Sequence, residues 1–423
     1  MVEKRRDIQG MRGYAITMVV LYHFFPTYFP NGYIGVDGFF VISGFLIAMI
    51  LTREEKMNAS VILAFYYKRI KRIMPLYYLV IIGVQVTLLS LLPINYLKMN
   101  LESCWKAITL TSNIKQLGVD EAYEKMLLGA EDVFTHTWSL SVEMQWYLLV
   151  PVVFLALRLV PKLEKPVFVG LLSCSLAFYF YTDEMTAFHN VFARMWQFSC
   201  GVIASFALEH KGGSVMAPEN YERLKEECEE DTEKNKRRYG HVFASYALYF
   251  FAAAPGFAWI PCPKDWLRIA ATVSFAALIY FGSTYQVLTL SNRLAVYVGD
   301  ISYALYLIHW PVYVVVNSYS WHPLTHYFAM ITVSFILTNA VHYLFERHYQ
   351  QWSQPVISAV VIILIAMSMV LFCKLNTSMD SMKERDSDLA NINIDDAAWN
   401  MSMSILCLSY VFMIFRMQAR EAK

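Results

Sequence analysis

Apolar positions in this chain fall in long, nearly unbroken runs separated by shorter polar segments. The runs cover residues 13–29, 36–51, 74–92, 137–157, 166–181, 190–208, 240–257, 269–287, 300–316, 324–345, 356–373 and 401–415. A helix that crosses a bilayer needs about 20 apolar residues, with roughly 17–25 as the usual range. The pattern therefore predicts an all-α fold, a polytopic transmembrane helical bundle of about 10–12 spans. The last run is the shortest and the weakest of the set. The first, with Lys4, Arg5 and Arg6 before it, has the outline of a signal peptide. It contains Arg12 and His23 and lacks a small-residue cleavage site, so it reads as an uncleaved span.

Composition agrees with this reading. The 423 residues are 57% hydrophobic and only 16% charged, against about 45–50% and 25% for an ordinary soluble domain. Disorder, a coiled coil and a typical soluble enzyme are excluded. The formal net charge is +1, but the sum hides an uneven distribution. The segment 52–73 has six basic and two acidic residues, whereas 93–136 has four basic and six acidic. Cytoplasmic loops carry the excess of Lys and Arg. With a cytoplasmic N-terminus, the loops alternate consistently through to the basic tail 416–423. Residues 209–239 form a charged cytoplasmic loop, and 374–399 an acidic extracytoplasmic one. The sequon Asn376-Thr377-Ser378 falls in the latter.

Ionisable groups inside spans are costly and point to function. Arg12 and His23 are eleven residues apart. At roughly 100° per residue this comes within about 20° of three full turns, so both share one helix face, separated by about 16 Å along the axis. His23 is the side chain suited to take and return a proton near neutral pH. Glu143 lies in Thr137-Trp138-Ser139-Leu140-Ser141-Val142-Glu143 at a depth comparable to that of His23. A buried carboxylate needs a partner, and His23 and Arg194 are the candidates. Ser139, Glu143 and Trp146 share a face at i, i+4 and i+7. Arg69 and Arg72, at i and i+3 in a basic inner segment, form either a compact anion site or plain topology determinants. Asp37, between Gly35 and Gly38, is a functional group or a turn-forming cap. His309, just before Trp310-Pro311, is a packing residue or part of the site. The seven cysteines show no metal-ligand spacing, so no metal is expected.

Several ordered segments resemble the acyltransferase 3 family of integral membrane acyltransferases. Arg12 through His23 matches its R-x10-H first span, and residues 32–47 are close to its second-span signature. The segment Arg69-Ile70-Lys71-Arg72 resembles its R-x-x-R motif, and Trp138-Ser139-Leu140 through Glu143 its W-S-L-x-x-E motif. Arg194-Met195-Trp196 and Ile301-Ser302-Tyr303 through His309-Trp310-Pro311 match later segments. The resemblance covers about residues 5–373 and is similar in plan to nematode-type relatives without a fused SGNH hydrolase-like domain. Where the family usually has Glu-Glu-Gln-Phe, this chain has Glu143-Met144-Gln145-Trp146, and Gln197 stands where Glu is frequent.

The resemblance implies a membrane domain over 1–373. Residues 374–423 would supply an extracytoplasmic loop, a final apolar segment and a cytoplasmic tail. It implies an O-acyltransferase that takes an acyl group, commonly acetyl, from cytoplasmic acetyl-CoA or another acyl-CoA. The acceptor would be a hydroxyl of an extracytoplasmic or membrane-exposed glycan, lipid or peptide. His23 and Glu143 would be catalytic, with Glu143 orienting His23. Arg12, Arg69 and Arg72 would bind the donor, and Asp37, Ser139, Trp146, Arg194 and His309 would bind or support the acceptor. The partners expected are acyl-CoA, the acceptor and membrane lipids, with no nucleic acid, in an endomembrane or plasma membrane. Two rivals stand beside it: a proton-coupled transporter or exporter, weakened by the lack of internal repeats, and a catalytically inactive lipid- or sterol-binding relative.

Overall fold

The computed structural model describes residues 5–54, 58–114, 131–209, 263–283, 287–319 and 323–391. Every predicted apolar run within those stretches falls on a helix. The runs 240–257 and 401–415, and the charged loop beyond residue 209, lie outside the described residues. The main helices are α1 (Arg6–Phe24), α2 (Ile34–Thr52), α3 (Ala59–Ser90), α4 (Ile94–Ile108), α5 (Thr137–Leu157), α6 (Glu164–Tyr181), α7 (Val191–Glu209), α8 (Lys264–Gly282), α9 (Arg293–Asp300), α10 (Ser302–Asn317), α11 (Pro323–Val341) and α12 (Gln354–Asn391). Seven of the described helical segments are long and apolar enough to cross a membrane. No strand occurs among the described residues.

The chain forms two compact units, Met1–Phe372 and Cys373–Lys423. In the first, α1 and α2 are the central pair, packed against α7, α8 and α9. In a bilayer, close approach of helices depends on small residues at their contacts. Here the α2–α7 contact is backbone against backbone. A methyl group on Gly44 would overlap the Phe198 carbonyl, and one on Gly201 the Val41 carbonyl. Gly13 and Gly299 do the same for α1 against α9. In the second unit, residues 374–391, read from their charges as a loop, continue helix α12. This stretch contains neither Gly nor Pro, so charge alone does not stop the helix. Asn376 of the sequon lies on this helix and donates to the Asp380 carboxylate at 3.2 Å.

The end of α4 shows why one turn departs from the usual chemistry. The Thr111 N–H donates to the Lys106 carbonyl at 2.9 Å and the Leu110 N–H to Ala107 at 3.2 Å. This is a Schellman termination, which calls for a left-handed residue, usually Gly. Leu110 occupies that place at φ 56°. Leu110→Gly should therefore raise stability by about 1 kcal/mol, read as a higher unfolding temperature of the detergent-solubilised protein.

Candidate functional site

The face of α1 carrying Arg12 and His23 leads from one internal cavity to another. At the Arg12 end lies a narrow cavity of about 90 Å³, walled by Arg12, Arg69, Arg72, Glu143 and Tyr147, with serines from α2, α5 and α10. Helix α5 contributes Ser139, Glu143 and Tyr147, one stripe at i, i+4 and i+8. Both Ser43 and Tyr147 donate hydroxyl hydrogen bonds to the same Glu143 oxygen. The buried Arg69 guanidinium lies over the Phe65 and Tyr147 rings, each at 5.4 Å. Arg72 is exposed at the mouth. Pro75 sets up this stretch of α3: it has no N–H for the Lys71 carbonyl and its ring crowds the preceding turn. Two neighbouring carbonyls also accept from tyrosines, Ile73 from Tyr303 at 2.9 Å and Arg72 from Tyr349 at 3.0 Å.

At the His23 end is a larger cavity of about 650 Å³, within the range of small-molecule sites. His23 Nδ1 lies 2.9 Å from His309 Nε2, with the rings stacked at 5.1 Å. His309 is fully buried, and its Nδ1 is 3.0 Å from the Leu305 carbonyl oxygen. A carbonyl can only accept, so His309 Nδ1 carries the hydrogen and its Nε2 the lone pair. His23 Nδ1–H must then donate to it, which leaves His23 Nε2 as an acceptor. Trp310 packs edge-on to the His23 ring at 4.9 Å and is itself tied by a 2.8 Å bond to the Asp132 carbonyl. Tyr306 walls both cavities. It donates to the His136 carbonyl at 2.8 Å and meets Ser139 Oγ at 2.5 Å.

Deep beside the larger cavity, Asp37 is fully buried between two arginines. Arg268 donates to its Oδ1 at 3.1 Å, and Arg194 approaches the same oxygen at 3.5 Å. Burial of a charge requires such pairing. Asp37 is thus a counter-ion held within the bundle. The i, i+4 pair His342–Glu346, bonded at 2.7 Å within a π-turn, is likewise structural.

Several sequence expectations are rearranged. Glu143 is not brought to His23: the two line different cavities, and no hydrogen bond or ion pair links them. The partner of His23 is His309. Arg194 pairs with Asp37 and not with Glu143. Trp146 lines neither cavity; it is buried and stacked on Phe198 at 5.1 Å, because the helix turn that aims Glu143 at one cavity aims Trp146 at α7. Arg12, Arg69 and Arg72 do converge. Sequence reading missed Ser43, Tyr147, His136, Tyr306 and Arg268. Arg268 left a signal, a lone cation at the start of an apolar run with Asp37 unpaired elsewhere. Tyr147 left one too, since it is four residues after Glu143. Among the described residues, no three His, Cys, Asp or Glu side chains form a metal-holding group.

A helical, multi-pass integral membrane protein with a buried cationic cavity and a histidine cavity at the two ends of one helix is the class defined so far. A family model described as an acyltransferase domain matches residues 5–373, and the chain belongs to that acyltransferase 3 family. It is similar to the O-acetyltransferase OatA of Staphylococcus aureus (strain NCTC 8325 / PS 47), 28% identical over 321 residues, covering 74% of this chain and 51% of the relative. It is also similar to the putative O-acetyltransferase SACOL0978 of Staphylococcus aureus (strain COL), 26% identical over 357 residues, covering 81% and 57%. The chain therefore spans about half the length of these curated relatives. No solved structure matches it.

Proposed function

We propose that the protein is a membrane O-acyltransferase that moves an acyl group, acetyl in the simplest case, from acyl-CoA to a hydroxyl of an acceptor. The observation that carries this reading is the pair of cavities that both line α1. One is walled by Arg12, Arg69 and Arg72, and the other holds a histidine whose Nε2 is an available base. Family membership and the names of the relatives support the same chemistry.

With the N-terminus cytoplasmic, as the loop charges predict, the arginine cavity faces the side where acyl-CoA is found. Exposed Arg72 at its mouth suits the phosphates of the nucleotide end. A 90 Å³ cavity is far below the roughly 300 Å³ at which small-molecule sites begin, so it takes only the narrow pantetheine arm, which extends along the Arg12–His23 face and brings the thioester to His23. At the other end, His23 Nε2 accepts the proton of the acceptor hydroxyl as its oxygen attacks the thioester carbonyl. The new ester C–O bond forms, the C–S bond breaks, and the proton passes to the departing thiolate of CoA. His309 holds the His23 ring in the required tautomer. Glu143 acts through Ser43 and Tyr147 and balances charge beside the arginines. It is a positioning group for the donor cavity.

The test is to supply acetyl-labelled acetyl-CoA to membranes containing the full chain and to look for label in alkali-labile esters. Label transfer above that of membranes lacking the protein supports the reading, and its absence overturns it. The donor site makes its own prediction. Arg69→Ala with Arg72→Ala should weaken CoA binding, most strongly at low ionic strength, where charge is least screened. Unchanged affinity at low salt would leave these arginines as topology determinants only.

A further inference from the structure

The larger cavity contains more than a base. Its wall away from His23 is built around Arg194 and Arg268. Both guanidinium groups are buried, at 0% and 6% exposure, and both rest on a single oxygen of one carboxylate, Asp37 Oδ1. The buried cluster therefore holds two positive charges against one negative. Arg194 spends its Nε–H on the Phe188 carbonyl at 2.9 Å and directs Nη1 to Asp37 at 3.5 Å, while its Nη2 finds no hydrogen-bond partner in the protein. Aromatic faces fix both groups: Trp138, Tyr179 and Phe188 surround Arg194 at 5.2–5.7 Å, and Tyr33 and Phe188 hold Arg268 at 5.0 and 5.3 Å.

Buried polar atoms without partners are uncommon and need a cause. In this cavity they recur: besides Arg194, the Tyr33 and Thr182 hydroxyls lack one. The remaining charges at the rim do not cancel the cluster. Lys264 and Glu184 pair with each other at 2.7 Å, both largely exposed. Asp265 is exposed and accepts from Tyr179 at 2.7 Å, so solvent screens it. Two rigid guanidinium groups beside a cavity in a low-dielectric bundle, with one carboxylate between them and an Arg194 Nη2 that lacks a partner, suit a bound carboxylate or phosphate.

We propose that the acceptor is an anion: a hydroxyl compound bearing a carboxylate or phosphate that docks on Arg194 and Arg268 while the hydroxyl to be acylated lies at His23. This rests on the acyltransferase reading and specifies the substrate class of the same site. Hydrogen-bonding groups along the wall, the Tyr33 and Thr182 hydroxyls, then serve the polar body of the acceptor.

The experiment uses the purified full-length protein in detergent at fixed ionic strength. Its unfolding temperature is titrated with D-glucuronate, D-glucose 6-phosphate and D-glucose as probes. The expected result is a saturable rise with at least one anionic sugar, at concentrations at least tenfold lower than any effect of glucose. Whichever anion acts at the lower concentration names the charged group, carboxylate or phosphate. Arg268→Gln should weaken the anion response at least tenfold. Arg268→Lys, which keeps the charge and guards against a folding defect, should keep part of it. Arg69→Ala with Arg72→Ala should leave it in place, since the donor cavity is not involved. Equal responses to glucose and the anions would overturn the inference, as would no saturable response to either anion, or an anion response that survives Arg268→Gln. Acetyl-CoA turnover in the same samples separates the two readings. Anion binding that depends on Arg268 without ester formation refutes acyl transfer and keeps the anion site. Ester formation on neutral acceptors without an anion effect does the reverse.

Discussion

Acyl transfer falls by about 10²–10⁴-fold when His23 is replaced by alanine, the range expected for removal of a general base, while binding of acyl-CoA is retained. The split follows from geometry. The arginine cavity and His23 lie at opposite ends of a helical stretch about 16 Å long, and no arginine of the donor cavity touches the His23 ring. Transfer is followed with labelled acetyl-CoA, and binding by equilibrium dialysis of CoA on the purified variant. Ester formation at the wild-type rate would remove His23 from the chemistry. The role of His309 can be read alongside. Its Nε2 accepts from His23 Nδ1 at 2.9 Å, so His309→Gln, which still offers an acceptor oxygen, should retain more activity than His309→Leu. Equal rates in the two variants would mean that His309 packs without orienting.

The second large effect concerns stability. Asp37→Ala should destabilise the protein by about 3–5 kcal/mol, the cost of removing one member of a buried ion cluster and leaving the others unpaired. Arg194 and Arg268 would then stand 0% and 6% exposed with no carboxylate between them. Chemical unfolding of the solubilised protein measures this, and a change below about 1 kcal/mol would show that the cluster is relaxed by something other than Asp37. Asp37→Asn should cost less, because the amide oxygen still accepts from Arg268. Exposed Lys264 gives the contrast: its pair with Glu184 is solvent-screened, and Lys264→Ala should change stability by less than about 1 kcal/mol.

Much of the site could be read along single helices, because a helix converts spacing into a shared face without help from the rest of the fold. Arg12 and His23, Arg69 and Arg72, and Ser139 and Glu143 are each such a pair, and each does share a cavity lining or a helix face. Depth across the membrane was a weaker guide. Glu143 and His23 have comparable predicted depth, yet α2 and α10 stand around them so that Glu143 meets Ser43 and His23 meets His309. Partners on different helices depend on rotation about each helix axis, and rotation is set by packing. The glycines that let α2 and α7 touch, Gly44 and Gly201, are visible in the sequence, but which backbone each would meet is not. The helical stretch 374–391 shows the opposite failure: its charges read as a loop, although its residues favour helix.

The sequence by itself determined that the chain is a multi-pass helical membrane protein, that it carries Arg12 and His23 on one face of its first helix, and which family motifs it holds. Those properties are local, fixed by hydropathy, by a period of about 3.6 residues per turn and by residue order. Only the tertiary structure decided that Glu143 belongs with the arginines, that His309 stands against His23, and that Asp37 is shared by Arg194 and Arg268. Each of these pairings joins helices far apart in the chain. Their relative rotation comes from side-chain packing and glycine contacts across the bundle, which a single helix does not encode.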